Sequence, residues 1–444
     1  MTAADTKKVP KRIAQTVLNS LKGGVVPRVG LPYIAVGRRS EIEALLHDVE
    51  IVAEGGAAFR FIVGRYGSGK SFLLQTIRNY VMDKGFIVAD ADLSPERRLH
   101  GTKGQGLATY RELIGSLSTK TKPEGGALTL ILDRWISAVQ TEAARESGLA
   151  PGDPALTAAT DKKIVSVTSQ ISELVHGFEF AQLLSRYYHA YIDGDDEAKA
   201  RTVRWFRGEY TLKSEVREAL GINILITDDN WYDCIKIFAV FFRLAGYAGM
   251  MLMIDELVNI FKIPNSVTRQ YNYEKLLTVY NDALQGKARY LGIIMGATPE
   301  TLEDKRRGIY SYEALRSRLA EGRFSKPGAR DLLGPVIRLE PLTAEEMLVL
   351  CEKLADMHAG LYGYSRTVSA DDLAVFIKIE YGRIGADQHI TPREVIRDFI
   401  ELLNLLYQKL DLKIAEILNS EEFSYAKSEA VSDEAEAGFA EFTI

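Results

Sequence analysis

Short, mostly apolar runs at five places along the chain predict the strands of a buried sheet. They lie at 59–63, 86–92, 249–254, 290–297 and 336–339. Runs without strict alternation of apolar and polar residues are typical of strands covered on both faces. Because helical segments separate these runs, the pattern predicts an α/β fold with a parallel sheet flanked by helices.

Apolar residues recur three and four positions apart through most of the remaining chain, which predicts helices. The predicted helices are 12–22, 41–53, 71–81, 109–117, 128–147, 161–175, 178–192, 196–207, 231–245, 271–284, 313–319, 343–359, 370–381 and 391–418. Ser40 is the predicted N-cap of the second helix. Thr343 and Thr391 begin capping-box patterns, with Glu346 and Glu394 three residues later.

These patterns predict four parts of the chain. Residues 1–36 form an N-terminal helix and loop, and residues 37–340 form the α/β core. A mostly helical insertion, at about 107–247, lies inside the core between the second and third strands. Helices alone follow at 341–418, and 419–444 form an acidic tail with little apolar periodicity, which predicts disorder.

One segment has the pattern of a phosphate-binding loop. The pattern G-x-x-x-x-G-K-[S/T] is met at every position by Gly64-Arg65-Tyr66-Gly67-Ser68-Gly69-Lys70-Ser71. A predicted strand precedes it and a predicted helix follows it. Its backbone N–H groups and the helix N-terminus would bind the phosphates of ATP, Lys70 would contact the β- and γ-phosphates, and Ser71 would ligate Mg²⁺. The alternative is a glycine turn without a ligand.

A later apolar run ends in two carboxylates, Asp255 and Glu256, in the form of a Walker B strand. Asp255 would hold Mg²⁺, directly or through water, and Glu256 would polarise the water that attacks ATP. Thr298 ends the next predicted strand, where its hydroxyl would orient the same water. An apolar run ending in Asp-Glu is also a common strand end, and the phosphate-binding loop favours the catalytic interpretation.

Other polar positions have two interpretations each. Gly37-Arg38 is either a turn with a solvated charge or a contact to the nucleotide base. Asp90 or Asp92, at the end of the second strand, lies either at the ligand edge of the sheet or at a solvated strand end. The basic loop 94–106 is predicted to be mobile, and a nucleic-acid contact there is an open alternative.

Composition narrows the class of protein. The 444 residues carry a net charge of -5, which argues against a nucleic-acid-binding surface all around the protein but leaves a local basic patch open. Cys234 and Cys351 form neither a metal-binding spacing nor a disulfide framework, so we expect buried thiols in a reducing cytoplasm. No apolar run reaches transmembrane length and the N-terminus lacks a signal-peptide core, so we expect a cytoplasmic protein without a membrane partner.

The order of these motifs resembles the AAA+ branch of P-loop ATPases over about residues 37–410. The resemblance implies that Thr298 is sensor 1 and that Arg393, at the start of a helix in a C-terminal lid, is sensor 2. It also implies that Arg316 or Arg318 is an arginine finger for the ATP of a neighbouring subunit, and therefore a homo-oligomer. The Leu-Arg-Ser-Arg-Leu run is similar to the finger region of clamp-loader and origin-recognition ATPases. The two arginines cannot both lie on the buried face of their helix.

Further segments look like the ATP-binding subunits of bacterial anti-phage operons of the BREX and Shango kind. They are Leu21-Lys22-Gly23-Gly24-Val25-Val26-Pro27-Arg28, Val36-Gly37-Arg38, Arg65-Tyr66-Gly67-Ser68-Gly69-Lys70-Ser71 and Met253-Ile254-Asp255-Glu256. This resemblance implies a prokaryotic ATPase encoded beside a helicase or other DNA-processing subunit. The helical insertion departs from the AAA+ pattern. So does the acidic tail, which follows the lid where origin-recognition relatives carry a winged-helix domain.

Together these features predict an ATP-hydrolysing AAA+ ATPase that remodels or loads a DNA-associated partner in phage defence. A nucleotide-gated scaffold or switch with slow hydrolysis is the alternative, because a carboxylate in a sequence does not prove that it is well placed. A kinase or other phosphoryl transferase would use the same loop, but we find no acceptor-binding motif beside it.

Overall fold

The computed structural model describes residues 9–320, 330–382 and 391–409, together with Ile414 and Ile417. The chain divides into two compact units, Gly37–Pro341 in one and Met1–Val36 with Leu342–Ile444 in the other. The predicted tail at 419–444 lies outside the described residues. The domain roles assigned from the sequence stay predictions.

Unit Gly37–Pro341 is built on a parallel sheet of five strands in the described part of the chain. The strands are β1 (Ala57–Val63), β2 (Ile87–Asp92), β3 (Met250–Asp255), β4 (Leu291–Ala297) and β5 (Val336–Arg338). Their order is β2-β3-β4-β1-β5, and every pair is parallel. The carboxyl ends of all the strands therefore lie at one edge of the sheet. The predicted α/β fold with a parallel sheet flanked by helices is confirmed.

Helices make up most of the rest of the described chain, and within unit Gly37–Pro341 they connect and cover the strands. They are α1 (Lys11–Lys22), α2 (Leu31–Ile34), α3 (Arg39–Ala53), α4 (Lys70–Asp83), α5 (Gln105–Gly115), α6 (Leu128–Ser147), α7 (Pro154–Ser172), α8 (Gly177–Ile192), α9 (Asp196–Phe206), α10 (Lys213–Leu220), α11 (Trp231–Leu244), α12 (Val258–Phe261), α13 (Ser266–Leu284), α14 (Pro299–Glu303), α15 (Glu313–Leu319), α16 (Ala344–Tyr362), α17 (Ala370–Gly382) and α18 (Pro392–Gln408). The prediction of Ser40 as an N-cap is wrong. Arg38 holds the cap position in a left-handed conformation, and Ser40 lies inside the first turn of α3.

Side chains on both faces of the sheet are buried, which explains why its strands are apolar without alternation. Along β1, Phe59 and Phe61 pack on one face and Ile62 packs on the other. The helical insertion shares the first of these cores, since α11 packs on β3 and α5 packs on β2. Trp135 and Phe241, with ring centroids 5.2 Å apart, continue that core into the insertion. The insertion is therefore an integral layer of this unit.

The other unit packs the N-terminal helix against the C-terminal helices. Helix α1 contacts α16 and α18, and its apolar face is buried. Both predicted capping boxes are present. The N–H of Thr343 donates to Glu346 Oε2 (2.9 Å), and the N–H of Thr391 donates to Glu394 Oε2 (2.9 Å). These bonds fix where α16 and α18 begin.

A buried ion pair joins β1 to α3. Arg60 donates from Nε to Asp48 Oδ2 (2.5 Å) and from Nη2 to Asp48 Oδ1 (2.7 Å), and both side chains are 8% exposed. The remaining nitrogen, Nη1, donates to the carbonyl oxygens of Leu333 and Gly334. A bidentate pair with such additional bonds tolerates burial, but removal of one partner leaves an uncompensated charge.

Replacement of Arg60 by methionine is expected to lower the free energy of unfolding by about 3–5 kcal/mol, because the Asp48 carboxylate then stays buried without its partner. The double variant Arg60→Met/Asp48→Leu should recover most of this loss, since neither charge remains. Urea unfolding followed by circular dichroism measures both. The matched control is Arg39→Met, because Arg39 pairs with Glu43 at the surface (2.7 Å) and its removal should change stability little. Equal losses in Arg60→Met and in the control would contradict the prediction.

Candidate nucleotide-binding site

The loop between β1 and α4 has a closely folded backbone. Gly67 and Gly69 have left-handed φ angles of 75° and 95°, which residues with a side chain rarely adopt. A Cβ atom at Gly64 would lie 2.4 Å from Ser68 Oγ, so a larger residue at this position would displace the Ser68 side chain. Helix α4 begins at Lys70, directly after the loop. The loop therefore ends at a helix N-terminus, where free N–H groups and the helix dipole stabilise an anion.

Lys70 lies across this loop with its side chain buried. Its Nζ donates to the carbonyl oxygens of Gly64 (2.7 Å) and Arg65 (3.0 Å), and it lies 5.4 Å from the centre of the Tyr66 ring. The Arg65 carbonyl also accepts a hydrogen bond from the N–H of Ser68 (3.2 Å). A positive charge is thus held within the loop, at the place where the sequence predicts the β- and γ-phosphates.

The two predicted Mg²⁺ ligands meet although 184 positions separate them. Ser71 Oγ donates to Asp255 Oδ2 at 3.1 Å. Mg²⁺ prefers oxygen ligands and commonly uses one or two protein groups together with substrate phosphates and water. Among the described residues, no group of three or more His, Cys, Asp or Glu is able to hold a metal. The Ser71 and Asp255 oxygens therefore fit Mg²⁺ that is shared with a nucleotide.

Glu256 follows Asp255 in a strained backbone conformation. Its φ of 60° is left-handed, and its N–H donates to Asp255 Oδ1 (2.8 Å). Burial and the charges of Asp255 and Asp92 raise the pKa of the Glu256 carboxyl, and Lys70 partly offsets them. A raised pKa brings a carboxyl closer to the range in which a general base works near neutral pH.

The two acids of β2 have different surroundings. Asp92 lies beside Asp255 in the parallel ladder, at the edge where the phosphate-binding loop begins. Asp90 accepts a hydrogen bond from Arg78 Nε of α4 (2.7 Å), and Arg78 Nη2 also donates to Ser118 Oγ (2.7 Å). Asp92 is therefore the acid of β2 that lies at the site, and Asp90 joins α4 to the insertion.

Side chains from distant elements hold the basic loop between β2 and α5. Asn272 Oδ1 accepts from the N–H groups of Leu99 (3.0 Å) and His100 (2.9 Å). Asp228 Oδ2 accepts from the N–H of Gly104 (2.8 Å). The prediction of a mobile loop took no account of these bonds, because the residues that make them are far away in sequence.

Gly296 of β4 leaves room for the Asp255 carboxylate. A Cβ atom at this position would lie 2.0 Å from Asp255 Oδ1, which is closer than such atoms approach. Sequence reasoning missed this glycine because it lies inside an apolar run, with no local feature to distinguish it from a packing residue. Its place in the site follows only from the pairing of β3 with β4.

We expect Gly296→Ala to weaken Mg²⁺-dependent ATP binding by about tenfold or more. Overpacking of this kind typically costs about 1–3 kcal/mol, and here the nearest atom belongs to the predicted metal ligand. Titration calorimetry with and without Mg²⁺ measures the effect. Gly292→Ala is the matched control in the same strand, since its Cβ would meet the flexible Met251 side chain (2.3 Å to Sδ) instead. Unchanged Mg-ATP affinity in Gly296→Ala would count against the assignment of Asp255.

Thr298 caps α14. Its Oγ1 accepts from the N–H of Thr301 (3.3 Å) and lies 2.9 Å from Thr301 Oγ1, and the side chain is buried. The carbonyl of the preceding residue, Ala297, accepts from the N–H of Gly64 (3.1 Å), so the end of β4 adjoins the phosphate-binding loop. The sequence did not indicate the capping role, and the role of sensor 1 stays a prediction.

Arg38 contacts the backbone of the phosphate-binding loop. Its Nη2 donates to the carbonyl of Ser68 (3.1 Å), and its Nη1 lies 3.5 Å from Glu41 Oε1. Glu41 is buried and also accepts from Arg330 Nη1 (3.0 Å). The left-handed φ of Gly37, 65°, turns the chain toward the loop. Sequence reasoning missed Glu41, although its spacing of three residues from Arg38 suits an ion pair.

The arginines assigned by resemblance are at accessible positions. Arg316 is 43% exposed and its Nη2 lies 2.8 Å from Glu313 Oε1. Arg318 is exposed, and its Nη1 donates to the carbonyl of Ala314 (2.6 Å). Neither lies on the buried face of α15. Arg393 is exposed near the start of α18, in the other compact unit.

Comparison with known proteins identifies a family. The family model described as BREX system ATP-binding protein BrxC/D matches residues 9–422. No curated protein matches the chain. In the part of the chain that the structure describes, every helix is too short or too polar to span a membrane.

Proposed function

Because the chain belongs to the family of BREX system ATP-binding proteins BrxC/D, we propose that it binds ATP with Mg²⁺ at residues 64–71 and hydrolyses it. The observation that carries this proposal is the convergence of Ser71, Asp255 and Glu256 at one edge of the sheet. ATP binding alone needs no acid beside the metal ligand. The half-buried carboxyl of Glu256, adjacent to Asp255, supports hydrolysis as the second step.

The phosphate-binding loop and two side chains would hold the nucleotide. Backbone N–H groups of residues 64–71 and the Lys70 ammonium bind the phosphates, and Ser71 and Asp255 hold Mg²⁺. Mg²⁺ held by these two residues would supply positive charge that offsets the negative charge of the phosphates. Arg38 stabilises the loop through its bond to a loop carbonyl, and Gly37-Arg38 contacts the base.

Glu256 acts as the general base in this proposal. It takes a proton from water while the water oxygen forms a bond to the γ-phosphorus and the bond from that phosphorus to the β–γ bridging oxygen breaks. ADP leaves with the bridging oxygen, and inorganic phosphate is the other product. Thr298 orients the water. Because the transition state of phosphoryl transfer is loose, catalysis depends on positioning and on electrostatic stabilisation.

Completion of the site would require a second subunit. Arg316 or Arg318 contributes a finger to the ATP of a neighbouring copy in a homo-oligomer, and Arg393 of the C-terminal lid acts as sensor 2. The accessible position of both arginines on α15 supports this part of the proposal. An arginine finger stabilises the charge that develops on the transferred phosphoryl group.

The family description places the protein in BREX systems, and we propose that ATP turnover remodels or loads a DNA-associated partner there. The partner is a helicase or another subunit of the same defence operon. The surfaces proposed for this contact are the insertion and the basic loop 94–106, which follows β2. A cytoplasmic location stays a prediction.

Phosphate release by the purified protein, measured with mass determined by light scattering, tests the proposed function. We expect turnover of ATP that requires Mg²⁺, together with ATP-dependent oligomers. Reactions with the metal chelated measure background hydrolysis. Reactions with double-stranded DNA added show whether DNA stimulates turnover above the Mg²⁺-dependent rate. Transfer of labelled γ-phosphate to an acceptor other than water would indicate a phosphoryl transferase.

ATP binding without turnover, with or without DNA, would contradict hydrolysis as the function. It would favour the alternative from the sequence, a nucleotide-gated scaffold in which ATP binding sets the assembly state. In that case the light-scattering mass would still change with ATP.

A further inference from the structure

A side-chain amide connects the carbonyl of Glu256 to the end of β2. Asn259 lies in the short helix α12, three residues after Glu256. Its Nδ2 donates to the carbonyl of Leu93 (2.8 Å) and lies 3.3 Å from the carbonyl of Glu256. Both neighbours are carbonyl oxygens, which only accept hydrogen bonds, so the amide nitrogen must face them.

The backbone around Glu256 has two further supports. The N–H of Asn259 donates to the Glu256 carbonyl (3.0 Å), and the N–H of Leu257 donates to the carbonyl of Gly296 (3.2 Å). A residue other than glycine in the left-handed region is strained and persists only where its surroundings enforce the conformation. Rotation of the Glu256 peptide to an ordinary φ would redirect the carboxyl and break these bonds.

The acceptor on β2 is itself well fixed. The N–H of Leu93 donates to the carbonyl of Asp255 (3.1 Å), which extends the ladder of β2 and β3 by one bond. The next residue, Ser94, accepts through Oγ from the N–H groups of Glu96 (3.2 Å) and Arg97 (3.1 Å). The Leu93 carbonyl therefore has a defined position, and the hydrogen bond from Asn259 to this carbonyl fixes α12 relative to the end of β2.

We propose that Asn259 is a positioning residue for ATP hydrolysis. Its amide holds the left-handed peptide of Glu256 against the end of β2, and so fixes the direction in which the Glu256 carboxyl faces the attacking water. In this role Asn259 acts only through Glu256. This inference rests on the proposed function, because it requires Glu256 to be the base.

Two substitutions test the role of the amide. Asn259→Asp keeps the shape but replaces the donor by an acceptor, and Asn259→Ala removes the group. We expect each to lower kcat by about tenfold to hundredfold, with KM and the affinity for ATP unchanged within about threefold. The matched control is Asn265→Asp, because Asn265 caps α13 with its oxygen, which accepts from the N–H of Thr268 (2.9 Å), and aspartate does the same. This control should retain full turnover.

A double variant separates positioning from general damage. In the Glu256→Gln background, Asn259→Ala should produce no further loss of turnover, because the group through which it acts is already removed. A full additional loss in that background would overturn the proposal. Equal kcat in wild type and Asn259→Ala would overturn it as well.

Hydrogen exchange in the protein without nucleotide gives a readout that does not depend on activity. We expect faster exchange in peptides that cover 256–262 in Asn259→Ala, with the thermal midpoint of the whole protein nearly unchanged. Unaltered exchange would overturn the positioning role, whether or not the wild type turns over ATP. Absence of turnover in the wild type, by contrast, overturns the proposed function.

Discussion

Glu256→Gln is expected to lower the rate of ATP hydrolysis by about 10²- to 10⁴-fold while the protein still binds ATP. The amide has nearly the size of the carboxyl but cannot accept the proton of the attacking water, and general-base catalysis is typically worth this factor. Binding should persist because the substitution leaves Lys70 and Ser71, the proposed phosphate and Mg²⁺ ligands, in place. Phosphate release under single-turnover conditions gives the rate, and titration calorimetry gives the affinity.

A second acid near the site provides the control. Glu300 is exposed on α14. Burial raises the pKa of Tyr66 in the phosphate-binding loop, and the charge of Glu300 contributes to the same shift, so Glu300 lies near the loop. Glu300→Gln therefore removes a nearby charge without removing the proposed base. We expect it to change the rate little. If both variants lost turnover equally, the effect would come from the general negative potential and not from proton transfer. If Glu256→Gln turned over ATP at the rate of the wild type, another group would be the base.

The strands of this fold can be predicted from the sequence because the sheet is buried on both faces. The runs at 59–63 and 290–297 are confirmed within about two residues, as β1 and β4. The helix at 128–147 is also confirmed, because the apolar residues of its one buried face recur three and four positions apart. Helix α10 was missed because it is only eight residues long and buries only Val216 and Leu220, too few for a period to be recognised.

The packing of the insertion could not be predicted in the same way. Local spacing reveals that a helix has an apolar face but not which element covers it. The contact of Trp135 with Phe241 joins α6 to α11 across 106 positions of sequence, and no local pattern encodes it. The same limit applies to α1, whose apolar face was recognised but whose partners, α16 and α18, lie at the other end of the chain.

The residues of the candidate site also fall into two groups, those that a local motif reveals and those that only the folded structure brings to the site. The pattern of the phosphate-binding loop and the pair Asp255-Glu256 can be found in the sequence because each motif carries its chemistry in adjacent positions, and the roles assigned to them stay predictions. Gly296 and Asn259 were not recognised, because each matters through a contact made across the fold. Glu41 was missed although its ion pair with Arg38 is local, and its hydrogen bond from Arg330 joins positions far apart in the sequence. These residues support the motif residues, and their positions depend on strand order and on loop geometry that the sequence does not display.

Replacement of the proposed arginine finger should have the largest effect on turnover, about 10³- to 10⁵-fold. Of the two candidates we expect Arg318→Ala to show it. Arg316 already pairs with Glu313, whereas the described contact of the Arg318 guanidinium is with a backbone carbonyl of its own helix. A group that must reach a neighbouring subunit has to leave its own contacts, and a carboxylate partner opposes this. Steady-state phosphate release by Arg316→Ala and Arg318→Ala, beside Arg306→Ala as an exposed control, measures the difference.

Mixed oligomers test whether the finger acts on a neighbouring subunit. Subunits with Glu256→Gln keep the finger but lack the base, and subunits with Arg318→Ala keep the base but lack the finger. Neither population alone should turn over ATP, but mixing them creates interfaces in which an intact finger faces an intact base. Part of the turnover should then return, in proportion to the fraction of such interfaces.

Light scattering on each variant must first show that it still assembles, since loss of the oligomer would abolish turnover for another reason. If both arginine variants kept full turnover as assembled oligomers, catalysis between subunits by α15 would be excluded, and the site of each subunit would be complete by itself.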